Sequence, residues 1–314
     1  MEKCRQTQST RMRGARCRTS VVAAVTLLLL LPVLAAASLD PSKAITQYIH
    51  DVWQTDAGLP QDSVLAITQT RDGYLWLGTE DGLARFDGVS FSVFDKSNTP
   101  ELGMNTITAL LQDRYGSLWI GTNGGGLTRF GDRRFRRFTT KDGLDSDVIL
   151  SLFEDRQGNL WIGTDGGGLA RFRNGRFTSY KVKDGLPDNS IFSICQDREG
   201  NLWLGTHAGV SRFSNGRFTT LGTKAGLPNL FIRSVYIDRD GTLWAGSNGG
   251  GLSHLQKDGR FITYTTKDGL SSNNIWSLYQ DREGSLWIGT GAGGLDRMHD
   301  GRFTAYTAKQ GLSG

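Results

Sequence analysis

Between residues 56 and 314 the apolar positions fall in short runs broken by polar turns, not at helical spacing. "NLWIGT" at 159–164 sets Leu160, Trp161 and Ile162 side by side. A strand with one wet face alternates, so three apolar residues in succession predict a strand covered on both faces. At 184–220 the pattern predicts a loop "DGLPDNS", a strand "IFSICQ", a tight turn "DREGN" and a strand "LWLGT". A hairpin tip "HAG", a strand "VSRFS", a turn "NGR" and a strand "FTTLG" follow. The Asn-Gly pair is a strong hairpin signal. The segment therefore reads as four short strands in a meander.

The same unit recurs. "YLWLGT", "SLWIGT", "NLWIGT", "NLWLGT", "TLWAGS" and "SLWIGT" place Trp76, Trp119, Trp161, Trp203, Trp244 and Trp287 at spacings of 43, 42, 42, 41 and 43 residues. A four-stranded unit of this length is the size of a propeller blade. The fold class predicted is all-β: a β-propeller of four-stranded blades with six complete repeats. A Trp per blade fills the wedge between neighbours, and the Gly after it permits close approach of the next blade. Propellers close by pairing the chain ends in one blade. Residues 45–52, "ITQYIHDV", read as an unpaired N-terminal strand, and "KQGLSG" at the end matches "KDGLSS" at 267–272. The expectation is a closing strand within 38–55, repeats over 56–314, and a chain cut as a seventh or later blade begins.

Composition changes the picture in two places. The chain has 42 Gly, but the "GGG" of "TDGGGL" neither opens a helix nor precedes Lys-Ser or Lys-Thr, as a phosphate loop requires. It shrinks to "EDGL" and "HAGV" elsewhere, as a hairpin tip does. Residues 1–37 combine a basic start, the apolar run "VVAAVTLLLLLPVL" and small residues before Ser38, the order of a secretory signal peptide. This segment carries the whole formal charge of +5, so the remainder is near neutral and predicts no nucleic-acid partner. Removing the segment also takes away Cys4 and Cys17. Cys195 then stands alone, at a repeat position held elsewhere by Leu111, Phe153, Tyr236 and Tyr279, and is read as a small hydrophobe.

The unit "DRxGxLW[IL]GTxxG[LV]xRF", preceded by "GLP", resembles the two-component regulator propeller repeat over 56–314, nearly all of the chain beyond the signal. The start "YIHDVWQTDAGLPQDSVLAITQTRDGYLWLGTEDGLARFDG" is similar to that of such sensors. The resemblance implies the periplasmic ligand-sensing part of a bacterial receptor. A β-sandwich, a membrane helix and a histidine kinase or diguanylate cyclase normally follow in that family. Departures are Gly246-Ser247 for Gly-Thr, and His254-Leu255 where other units have Arg-Phe.

Candidate chemistry is sparse. No H-E-x-x-H, paired Cys or nucleophile elbow is present. His50, His207, His254 and His299 fall at different repeat positions, so repeat symmetry assembles no metal site from them, and neither a cofactor nor a catalytic residue is assigned. His207 sits at a hairpin tip and reads as an exposed turn residue. Asp113, Asp155, Asp197, Asp238 and Asp281 are read as caps of their own turns. Arg114, Arg156, Arg198, Arg239 and Arg282 beside them are read as surface charges. Arg85, Arg129, Arg171 and Arg212 are read as ladder or interblade partners. The loops into each blade and the second hairpins lie at one end of a propeller and vary between units, as binding loops do. Ligand candidates are Asp147, Asp188, Asn189, Asn273 and Asn274 from the loops, and Asn123, Asp165, His207 and Asn248 from the tips. Their small polar groups suit a hydroxyl-rich small molecule such as a glycan, and are equally compatible with docking of a peptide or of another propeller. Three functions stay open: a periplasmic sensor, which leads on the resemblance; an exported lyase-like enzyme; and a passive interaction scaffold. A homodimer is compatible with each, and membrane attachment would come only through an uncleaved signal or a missing C-terminal part.

Overall fold

The structure, a computed structural model, describes residues 52–310 and 312. The signal at 1–37 and the strand read at 45–52, Val52 apart, lie outside the described residues. Six four-stranded antiparallel sheets follow one another along the chain, each a simple meander. Blade 3 is typical, with strands Ile149–Glu154, Leu160–Thr164, Leu169–Arg173 and Arg176–Tyr180. The fold is the expected β-propeller of six successive blades, and each "GGG" or shorter segment is a hairpin tip.

The first strands of the blades are Val64–Gln69, Ile107–Gln112, Ile149–Glu154, Ile191–Gln196, Ile232–Ile237 and Ile275–Gln280. Each packs against the first strand of the next blade, whereas the fourth strands diverge, so the first strands line the axis. The second strands of blades 2 to 5 are buried along their whole length, as the unbroken apolar runs predict. In blades 1 to 5 the Trp faces the following blade. Trp119 packs with Leu160, Ile162 and Ala170, and Trp203 with Leu243 and Ala245. The neighbouring blade's third-strand Phe adds a ring contact, Trp119 to Phe172 at 5.4 Å and Trp161 to Phe213 at 5.6 Å.

In blades 1 to 5 the glycine after the Trp is a point of close approach to the next blade. An added Cβ on Gly121 would lie 2.6 Å from Ile149 Cγ2, and one on Gly246 would lie 2.5 Å from Ile275 Cγ2. The Ile that opens each of these first strands is fully buried in the preceding blade's face. Cys195 also faces the following blade, half-buried beside Trp203. Burial and nearby Asp197 push its thiol far above the ordinary range, in keeping with packing and not reactivity.

The two terminal blades differ from the rest. Ile67 in blade 1 is 61% exposed, while its counterparts Ile194 and Val235, which face a preceding blade, are 8% and 5% exposed. Tyr279 in blade 6 is 62% exposed. Among the described residues, the first strands of blades 6 and 1 do not pack together as successive blades do.

Candidate functional site

The two ends of each blade are built differently. At the first-hairpin end, the Asp of "DRxG" does more than cap its turn. In blade 3, Asp155 Oδ1 accepts the backbone N–H groups of Gln157 and Asn159 at 2.9 and 2.8 Å. Its Oδ2 accepts the indole N–H of Trp161 at 2.7 Å. Asp113, Asp197, Asp238 and Asp281 accept the indole N–H of their own blade's Trp in the same way. A buried indole N–H needs an acceptor, and this carboxylate supplies it. Blade 1 has Thr70 in that role, at 3.1 Å from Trp76 Nε1.

The following arginines are not simply surface charges, which corrects the expectation for Arg114, Arg156, Arg198, Arg239 and Arg282. Arg71 donates to the Arg114 carbonyl at 2.8 Å, Arg114 to that of Arg156 at 3.2 Å, and Arg156 to that of Arg198 at 2.8 Å. Arg198 donates to the Arg239 carbonyl, and Arg239 to that of Arg282 at 2.6 Å. One side chain per blade thus clasps the same turn of the next, and Arg282 receives the last of these bonds. Arg114 also pairs with Glu154 at 2.6 Å. Arg85, Arg129, Arg171 and Arg212 sit opposite the Trp in the strand ladder, their guanidinium carbons 5.7–5.9 Å from its ring. In blade 5, His254 takes that place and stacks on Trp244 at 4.9 Å. Its ring is held below its usual pKa, chiefly by burial. A 290 Å³ cleft at this end, between blades 2 and 3, is lined by Asp113, Trp119, Arg129 and Glu154, all engaged in these contacts.

At the other end the loops and second hairpins meet, as the sequence predicts. Gly126 donates to the Asp147 carbonyl at 2.8 Å, Gly168 to that of Asn189 at 2.8 Å, and Gly251 to that of Asn273 at 2.9 Å. Several ligand candidates shape this framework. Asp147 Oδ1 accepts the Thr140 N–H at 2.8 Å, Asn189 Oδ1 that of Val182 at 3.1 Å, and Asn273 Oδ1 that of Thr266 at 2.9 Å. Asp165 accepts the Ser190 hydroxyl at 2.6 Å. Asn248 is exposed, and its backbone accepts from Asn229 at 2.8 Å. Asn274 is half-buried and its carbonyl accepts the Gly291 N–H at 2.9 Å. Asn123 is exposed at its tip.

Asp188 and His207 belong to a group the sequence reading did not assemble. Asp188 Oδ1 lies 3.4 Å from His207 Nδ1. The His207 ring is 4.7 Å from Phe192 and 4.5 Å from Phe231, and those two phenyl rings are 4.8 Å apart. The Arg233 guanidinium carbon sits 5.8 Å from the Phe231 ring and 5.1 Å from the Trp276 ring. Three blades therefore contribute to one aromatic cluster containing a cation. His207 is not a lone turn residue: its side chain is 46% exposed but packs on two rings. The available signal was position. Phe192, Arg233 and Trp276 are each the second residue of a first strand, where blades 1 to 3 have Leu65, Thr108 and Leu150.

Comparison with known proteins agrees with this architecture. The two component regulator propeller family matches six times, at residues 58–81, 101–124, 143–166, 185–208, 226–249 and 269–292. A histidine kinase P4 from Formosa agariphila is 50% identical over 44 residues, which is 14% of this chain and 3% of that protein. A solved extracellular domain, described as that of a one component system from B. thetaiotaomicron, superposes with a TM-score of 0.64 at 24% identity. That match covers 78% of this chain and 35% of the other. Virginiamycin B lyase from Staphylococcus aureus gives a TM-score of 0.64 at 16% identity, over 77% of this chain and 83% of that one. At these identities the solved structures show a shared fold. The chain spans only a small part of the kinase and about a third of the first structure. Among the described residues no three His, Cys, Asp or Glu side chains gather as metal ligands, and no helix is long and apolar enough to cross a membrane.

Proposed function

Since the chain belongs to the two-component regulator propeller family through its six repeats, we propose that it is the ligand-sensing part of an exported signal-transduction receptor. In this reading it binds a small molecule at the loop end and passes the signal to an output domain, a histidine kinase or a diguanylate cyclase, in a longer parent. No bond is made or broken in this chain. The periplasm is the compartment proposed, from the signal-like order of residues 1–37.

One observation carries the reading. The first-hairpin end carries the interblade joints, whereas the loop end holds Phe192, Phe231, Arg233 and Trp276 beyond what the fold requires. Trp276, in the last described blade, is 53% exposed, so its ring is open to a ligand beside Arg233. The test is thermal: a ligand that binds only the folded form at about 100 times its Kd adds about 2.7 kcal/mol of stability. For a domain of this size that corresponds to a rise in Tm of roughly 5–10 °C. A panel of sugars and organic acids at millimolar concentration is the screen. Turnover of any compound in the panel would replace the sensor with a lyase-like enzyme, and a panel with no shift at all would favour a passive scaffold.

A further inference from the structure

Resting on the sensor reading, we propose that the loop-end cluster binds a carboxylate-bearing ligand with a flat apolar face, Arg233 taking the carboxylate and the rings taking the face. The backbone creates the place. In the first strands of blades 4, 5 and 6 the pairing register slips between Ile191 and Ser193, Ile232 and Ser234, and Ile275 and Ser277. Such a bulge leaves one residue unpaired and re-aims its side chain. The residues so released are Phe192, Arg233 and Trp276. The same slip in blades 1 to 3 releases Leu65, Thr108 and Leu150, so the rings and the charge are confined to one side of the ring of blades.

Arg233 decides the ligand class. It is half-buried and, among the described residues, makes cation–π contacts but neither a hydrogen bond nor an ion pair. A guanidinium held near ring faces, with no hydrogen-bond acceptor of its own, keeps its N–H donors unused, and that planar fork matches a carboxylate. Among the described residues no carboxylate lies within ion-pair distance of it, Asp188 in the same cluster facing His207 instead, and in this half-buried, aromatic setting an incoming anion gains more than it would in open water. Phe192, Phe231 and His207 pack beside it, tilted or edge-on to one another, and offer single ring faces to the apolar face of a uronate sugar or of an aromatic acid. The two share the chemistry that the cluster reads.

The test is isothermal titration of the full chain with four probes: glucuronate, its neutral counterpart glucose, 3-phenylpropionate and its neutral counterpart 3-phenylpropanol. At least one acid should bind ten times or more tighter than its neutral counterpart, and which acid does so identifies the source. Arg233→Met should remove that preference, and Arg233→Lys should keep part of it. Trp276→Leu should weaken the acid by fivefold or more with the charge intact, and a Tm for each variant within a few degrees of wild type shows that the blades remain folded. Equal binding of acid and neutral probes, or an unchanged preference in Arg233→Met, overturns the carboxylate assignment and leaves the sensor reading standing. No binding by any of the four overturns the assignment, and only an empty thermal panel as well removes the sensor reading with it.

Discussion

Replacing Gly121 by Ala tests the account of how blades meet. Gly121 has ordinary strand backbone, so Ala by itself gains about 0.5–1 kcal/mol from lost freedom in the unfolded chain. Against that, the new Cβ lies 2.6 Å from Ile149 Cγ2, 2.9 Å from Ile149 Cβ and 3.3 Å from Ala109 Cβ. Carbon atoms settle at about 3.5–4.0 Å, so a gap of roughly 1 Å must open. Ile149 is fully buried and cannot swing into solvent. Overpacking of this kind costs about 1–3 kcal/mol, and mid-range values of the two terms leave a net loss of about 1 kcal/mol and a Tm lower by roughly 2–4 °C. The assay is thermal and urea unfolding followed by Trp fluorescence, with a double-mutant cycle. Ile149→Ala alone loses about 2–5 kcal/mol by leaving a cavity. The double variant should lose less than the sum by more than about 0.5 kcal/mol, because the new methyl enters the vacated space. Gly116→Ala is the control: its φ is +89° and no atom lies within 4 Å of the added Cβ, so its cost should be independent of Ile149. If Gly121→Ala melts like wild type, or if the two effects simply add, the close-approach explanation is wrong.

Three further outcomes follow from the bonds described. Asp155→Ala strands the Trp161 indole N–H and should cost about 1–3 kcal/mol in urea unfolding, while Asp155→Thr, which copies Thr70 of blade 1, should cost less. His254 has a lowered pKa in the folded state, so the unfolded chain binds the extra proton first. Its contribution is therefore intact above about pH 6.5, its ordinary value, and is lost as pH falls below that towards its folded pKa. Melting curves between pH 7.5 and 5 should show a smaller pH-dependent loss for His254→Phe than for wild type. Asp296 is fully buried, its Oδ1 has no hydrogen-bond partner, and burial raises its pKa despite donation from the Ser271 N–H and hydroxyl. Asp296→Ser, the residue found at the matching position in blades 4 and 5, should raise Tm at pH 8 and do so less at pH 4, because a folded pKa above the unfolded one costs stability only as pH rises through it.

The blades were legible because one period repeats six times and because "LWIGT" runs apolar without alternation, which only a doubly covered strand tolerates. The glycine after Trp was readable for the same reason. The Asp–indole bond was half-visible: Asp six residues before the Trp of blades 2 to 6 reads as a turn cap, and nothing in the spacing says that its second oxygen turns inward. The arginines were misread because a charged residue in a tight turn usually meets water, and their carbonyl acceptors lie about 42 positions away in sequence. At the loop end, the small polar candidates stood out as residue types, yet Asp147, Asn189 and Asn273 hold their own backbone. The aromatic cluster was hidden because Phe192 and Trp276 look like ordinary strand apolars. Only the bulge, a register property with no residue signature, turns them out of the sheet.

The clasp from each arginine to the next blade's turn also bears on how such chains arise. Donor and acceptor occupy the same position of the repeat, so every copy carries both halves of its joint. An in-frame duplication of one unit inserts a blade whose arginine finds a carbonyl ahead and whose carbonyl meets an arginine behind. A deletion heals in the same way. Blade number is therefore open to change by recombination at no cost to the existing joints, and side chains at the bulge positions are free to diverge copy by copy.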